Sequence, residues 1–174
     1  LGGHDRCPPI WSPDDRQIAF ASNRGGAINV FTVDADGKNL RKRTRDLEDA
    51  FVWAARPSWS PQGDNLVFST EVEGNTDLYR LDLSTDATTR LTTDPGVDQI
   101  PKWAPDGSSI LFVSDRSGTP ALHFLDPASG EIEAFATELG RPGWGHRWSP
   151  DGNWIALVES GSIRDWSCSL VSVA

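Results

Sequence analysis

Histidine and cysteine are scarce in this sequence: His4, His123 and His146, with Cys7 and Cys168, are all it has. Histidine serves as a general base or metal ligand near neutral pH. These three lie in unrelated stretches, and a catalytic triad built on them requires distant segments to converge. No Gly-x-Ser-x-Gly elbow, His-Glu-x-x-His, phosphate-binding loop or Gly-x-Gly-x-x-Gly occurs. The chain itself is therefore expected to be non-catalytic and to carry no cofactor. The cysteines sit near opposite ends with no Cys-x-x-Cys pair, which leaves open one long-range bridge or two free, buried thiols. Asp34 and Asp36 in "DADG", and Asp94 and Asp98 in "DPGVD", offer oxygen ligands at close spacing and are calcium candidates. The EF-hand pattern is missing, and Asp-x-Asp-Gly equally builds a hairpin turn, which is the preferred reading.

Two polar stretches carry the side chains that favour recognition. "RDLEDAFVWAAR" holds Asp46, Glu48, Asp49, Phe51 and Trp53, and "ELGRPGWGHR" holds Arg141, Trp144 and His146. Trp and Arg are the types most enriched at binding hot spots, so these loops are the candidate site for a protein or peptide partner. The competing reading has Phe51 and Trp53 folding back onto their own unit. With 25 acidic and 16 basic side chains the net charge is −9, the opposite of a nucleic-acid binder. No apolar run approaches the ~18 residues of a membrane span, so no nucleic acid and no direct membrane insertion are expected. There is no Met, even at position 1, and no signal peptide, which suggests a chain that begins after a cut.

The elements that must position these loops repeat. "WSPDD" at Trp11, "WSPQG" at Trp59, "WAPDG" at Trp103 and "WSPDG" at Trp148 are 48, 44 and 45 residues apart. Each is followed by an apolar run ("RQIAFAS", "DNLVFST", "SSILFVS", "NWIALVE"), a polar turn and a second apolar run ("INVFTVD", "DLYRLDL", "ALHFLDP", "SCSLVSV"). The first three units add a short closing run. Runs of this length, rich in β-branched and aromatic residues and bounded by Gly, Pro and Asp, are strands and hairpins. Helical periodicity is nearly absent apart from one turn's worth in "DLEDAFVWAA". Four short strands per ~40–45 residues is the pattern of a β-propeller blade. In that frame Pro13, Pro61, Pro105 and Pro150 end the innermost strand, and the next two residues make the turn. Trp11, Trp59, Trp103 and Trp148 pack between blades as scaffold. His123 falls inside a strand as a wall residue, and His146 sits beside an inner strand at the channel mouth.

Pro57 to Gly63, Leu66 to Ser69, Leu78 to Asp82 and Arg90 to Thr92, with a second match from Pro101 to Ser114, resemble the WD40-like repeat of the TolB-like (PD40) β-propeller family. Blade four departs from it, with His146 where the family has Pro. The resemblance implies an all-β propeller of four-stranded antiparallel blades, at approximately 7–50, 51–95, 96–140 and 141–174, the last incomplete. It also implies rings of six or more blades, so four repeats are expected to form an arc completed by further blades or by neighbouring subunits. A compact four-bladed ring, with Cys7 and Cys168 on adjacent blades, is the other geometry. By the same resemblance the function expected is a protein- or peptide-binding scaffold in the periplasm or outside a bacterial cell. The alternatives are the gating propeller of a prolyl-oligopeptidase-like serine peptidase, whose catalytic domain lies outside this chain, and a structural subunit of a multiprotein assembly.

Overall fold

The computed structural model describes residues 8–24, 28–44, 56–136, 142–160 and 166–173. They form four antiparallel sheets, one per repeat. The first contains β1 (Ile10–Trp11), β2 (Gln17–Ser22), β3 (Asn29–Asp34) and β4 (Arg41–Lys42). The second contains β5 (Ser58–Trp59), β6 (Asn65–Val72), β7 (Asn75–Asp82) and β8 (Thr88–Arg90). In the third are β9 (Asp98–Trp103), β10 (Ile110–Ser114), β11 (Ala121–Leu125) and β12 (Ile132–Ala136). The fourth has three strands among the described residues: β13 (Pro142–Trp148), β14 (Trp154–Ser160) and β15 (Trp166–Ser172). Strands follow chain order in every sheet, and the first strands of successive sheets lie side by side, the stacked meander of a propeller.

The pentapeptide turns the chain from first to second strand by one hydrogen-bond pattern. The residue after each Trp donates its N–H to the carbonyl six residues past that Trp: Ser12 to Gln17 at 2.8 Å, Ser60 to Asn65 at 2.9 Å, Ala104 to Ser109 at 2.9 Å and Ser149 to Trp154 at 2.8 Å. The fifth residue is left-handed each time, with φ of 59° at Asp15, 75° at Gly63, 78° at Gly107 and 74° at Gly152. Where a serine is present, its hydroxyl accepts the returning N–H (2.9 Å at Ser12, 3.0 Å at Ser60, 2.9 Å at Ser149). The same hydroxyl donates to Asp14, Asp64 or Asp151.

The central strands of the second and third sheets are buried on both faces, because alternate residues meet opposite neighbours. Leu66 and Phe68 pack with Ala19 and Val30 of the first sheet. Val67 and Leu78 pack with Ile110 and Phe112 of the third, and Leu111 and Val113 with Ile155 and Leu157 of the fourth. Trp59, Trp103 and Trp148 join these three layers, each leaning on the preceding sheet. The Trp59 indole donates to the Ile10 carbonyl at 3.3 Å, and Trp148 stacks on Phe124 at 5.7 Å. Trp11 corrects the expectation for its class. It is 54% exposed, because its ring lies on the face of the first sheet turned away from the second.

Candidate functional site

The inner strands bring equivalent positions to one place. Pro8, Arg56, Ile100 and Gly145 each stand three residues before their Trp, and all four line a cavity of about 240 Å³ with Lys102, His146 and Arg147. Two of these strands are distorted there. Register slips between Leu111 and Val113, so that Ile100 and Pro101 face Phe112 alone, and it slips again between Pro142 and Gly145. Ile100 has φ of 57°. A β-branched side chain in the left-handed region costs on the order of 1–3 kcal/mol, and such outliers cluster at binding sites.

His146 lies in this wall and is 2% exposed. Its Nε2 has no hydrogen-bond partner among the described residues. Desolvation pushes its pKa down to about 3, aided by the positive charges of Lys102, Arg147 and Arg56 and opposed by a hydrogen bond to the Leu111 backbone. The ring is therefore neutral at physiological pH. It takes the place that Pro57 and Pro101 hold in their own blades.

Asp46, Glu48, Asp49, Phe51, Trp53 and Arg141, with the one-turn helix expected beside them, lie outside the described residues, as do His4 and Cys7. Trp144 falls within β13 at its register slip. His123 is buried, its ring 5.6 Å from Phe112, and desolvation lowers its pKa. The four calcium candidates serve the scaffold. Asp34 accepts from Gln17 at 2.9 Å and Asn39 at 2.6 Å, and Asp36 binds Lys38 at 2.9 Å. Asp94 accepts the Gly96 N–H at 2.8 Å. Asp98, fully buried, takes both its bonds from Arg116 at 3.0 and 2.9 Å, which ties the inner strand to the β10–β11 turn. No group of three or more metal-ligating side chains occurs among the described residues. Cys168 is a free, exposed thiol on β15, which corrects the expectation that free thiols here would be buried.

Two larger grooves, of about 780 and 500 Å³, run between the Trp-Ser-Pro turns of neighbouring blades. Asp14, Asp106, Asp126 and Asp151 line them, and hydrogen bonds from serine side chains and turn N–H groups hold these carboxyls below their usual pKa. They are turn-holding anions, poorly suited to proton transfer near neutral pH. Arg56, Lys102, Arg147 and Ile100 do not stand out in the sequence as site residues. Counting back three and one residues from each Trp is the signal that finds them.

Residues 49–169 match the PD40 family, described as the TolB beta propeller domain. The Tol-Pal system protein TolB of Ruthia magnifica subsp. Calyptogena magnifica is 38% identical over 86 residues, which is 49% of this chain and 20% of that protein. The uncharacterized peptidase YuxL of Bacillus subtilis is 34% identical over 65 residues, 37% of this chain and 9% of that protein. Among solved structures, TolB from Acinetobacter baumannii superposes with a TM-score of 0.81 at 29% identity, covering 97% of this chain and 42% of that one. Puromycin hydrolase, at a TM-score of 0.72 and 22% identity over 95% of this chain and 27% of that one, shares the fold. The chain thus spans less than half the length of each of these four relatives. On its match over residues 49–169, the chain belongs to the PD40, TolB beta propeller domain, family.

Proposed function

We propose that this chain is the recognition arc of a non-catalytic, TolB-like propeller that binds a protein or peptide at its inner-strand end, in the cell envelope or outside the cell. The observation that carries the reading is the convergence of Pro8, Arg56, Ile100 and Gly145, one position from each blade, on a single cavity. A rigid scaffold that presents strained and cationic residues at one end is built for binding. The envelope location rests on the likeness to TolB proteins of the Tol-Pal system.

Site-specific photocrosslinking in the source cell tests it. A probe replacing Ile10 at the cavity should trap a discrete protein adduct, while the same probe replacing Glu131, beside the outer strand of blade three, should trap none. Equal adducts from both positions sink the proposal. A second reading, the gating propeller of a serine peptidase, is favoured by the likeness to YuxL and the fold shared with puromycin hydrolase. A Gly-x-Ser-x-Gly elbow in the same open reading frame decides for it.

A further inference from the structure

Each joint between neighbouring blades is built from two unlike faces. The earlier sheet offers the residue eight places after its Trp together with a third-strand residue: Ala19 and Val30 in blade one, Val67 and Leu78 in blade two, Leu111 and Leu122 in blade three. The later sheet offers its Trp and the residues seven and nine places after it, as Trp59, Leu66 and Phe68 do against blade one. All six residues of the earlier faces are 0 or 1% exposed. At the first joint the small Ala19 lies with the rings of Trp59 and Phe68, large against small, as close packing requires.

The same two faces occur once more in the molecule, and there they are apart. In blade four Ala156 stands eight places after Trp148. Cys168 on β15 takes the place of Val30, Leu78 and Leu122, since each of these four is paired with the residue ten places after its Trp: Ala21, Ser69, Val113 and Val158. Here, however, Val158, Cys168 and Leu170 are exposed and Ala156 is only half-buried. Blade one holds the other half. Trp11 is exposed, and Ile18 and Phe20, seven and nine places after it, are half-buried. The chain thus carries one uncovered copy of each side of its own joint.

Shape decides what fits blade four. Two blade-four faces brought together set alanine and cysteine against their like, and short side chains opposite one another leave gaps that forfeit dispersion contacts. Blade one instead brings Trp11 and Phe20, the counterparts of Trp59 and Phe68, to a face whose Ala156 is the counterpart of Ala19. Faces that are unlike join copies in one direction, a heterologous contact.

We infer that the blade-four face of this chain is the docking surface for blade one of a second copy, the two meeting head to tail in a continuation of the joint that holds the four blades together.

Cys168 reports on this contact from inside it. In a Cys7→Ser chain it is the one thiol left. Its rate of maleimide labelling should fall about tenfold across a hundredfold rise in protein concentration, as second copies cover it. Trp11→Lys changes blade one, at the far end of the same molecule, and should abolish that fall, because Cys168 senses Trp11 only through another copy. A chain with Trp11 intact and both cysteines replaced by serine, added in excess to the Trp11→Lys chain, should restore protection of Cys168, since the variant keeps its own blade-four face. Protection that survives Trp11→Lys overturns the inference and shows that two blade-four faces meet. Protection that the added chain does not restore overturns it also, because an intact blade one then fails to cover the thiol. A labelling rate independent of concentration removes the contact altogether.

Discussion

His146 occupies the position that Pro57 and Pro101 hold in blades two and three, and the exchange changes how the protein meets acid. A proline there has nothing to titrate. The His146 ring is buried and its pKa lies near 3 against an ordinary 6.5. Below pH 6.5 the unfolded chain takes up a proton that the folded chain refuses, so stability falls as pH drops from 6.5 toward 3 and is unaffected above that window. At pH 4 the loss is about 3 kcal/mol. His123, lowered by the same cause, adds in the same direction. The turn carboxylates, lowered from 3.8, lose their contribution only below about pH 4, so the slope between pH 6 and 4 belongs to the histidines. His146→Leu should remove most of it in urea melts taken at half-unit pH steps, and an unchanged slope refutes the assignment. The sequence marks His146 as a departure from its repeat. It does not reveal the burial, which depends on the Leu111 strand of the neighbouring blade closing over the ring. Arg56, Lys102 and Arg147 are hidden for the same reason: each looks like a solvated charge within its own strand, and only the stacking of inner strands brings them together.

At the level of the turn, one blade lacks a part that the others have. Ser12, Ser60 and Ser149 each accept the N–H that closes the turn and donate to an aspartate, whereas blade three has Ala104, 3% exposed, at that place. Ser12 and Ser60 are just as buried, at 4% and 2%, so the fold has room for the hydroxyl. Ala104→Ser adds a hydrogen bond to the Ser109 N–H and puts a donor within reach of Asp106. It should stabilise the protein by about 0.5–1.5 kcal/mol, read as a higher urea midpoint with an unchanged slope. A lower midpoint means blade three has packed its alanine too tightly to take the oxygen. The turn itself is legible in the sequence alone, because Pro and the Asp-Gly pair dictate it wherever they occur, and the apolar runs between turns form β2, β3, β6, β7, β10, β11, β14 and β15. Inner strands are harder to read. β1 and β5 contain two residues each while β9 has six, although Pro9, Pro57 and Pro101 all stand two places before their Trp; β9 carries its pairing past the proline through the bulge opposite Phe112. The left-handed Ile100 leaves no trace in the sequence, because local propensity places isoleucine in extended backbone.

Across the whole molecule, the alternation that joins neighbouring blades leaves each end with an uncovered side. Ile155 and Leu157 face blade three, so Val158 points the other way and is 38% exposed, alongside Trp154 at 46% and Leu170 at 68%. At the opposite end Ala19 and Val30 face blade two, and the half-buried Phe20 and the buried Phe31 take the other face together with the exposed Trp11. The two ends are unequal. The Arg24 guanidinium sits 5.2 and 5.4 Å from the Phe20 and Phe31 rings and screens them, a cation–π cover that keeps water at that face. Nothing comparable covers Leu170 among the described residues, and it lies on β15, the edge of the fourth sheet as described. An apolar face beside an open strand edge invites pairing, and in a larger ring a further blade meets it. As the isolated 174-residue chain, the protein should therefore self-associate reversibly through the blade-four face. Sedimentation velocity over a hundredfold concentration range should show a weight-average mass that falls on dilution. Leu170→Lys with Val158→Lys should shift the equilibrium to monomer without lowering the melting temperature, because neither side chain belongs to an inter-blade core. Arg24→Ala, by uncovering Phe20 and Phe31, should strengthen association at the other end. A chain that stays monomeric throughout the range shows that the blade-four face does not need a neighbour, and the arc reading then loses its physical support.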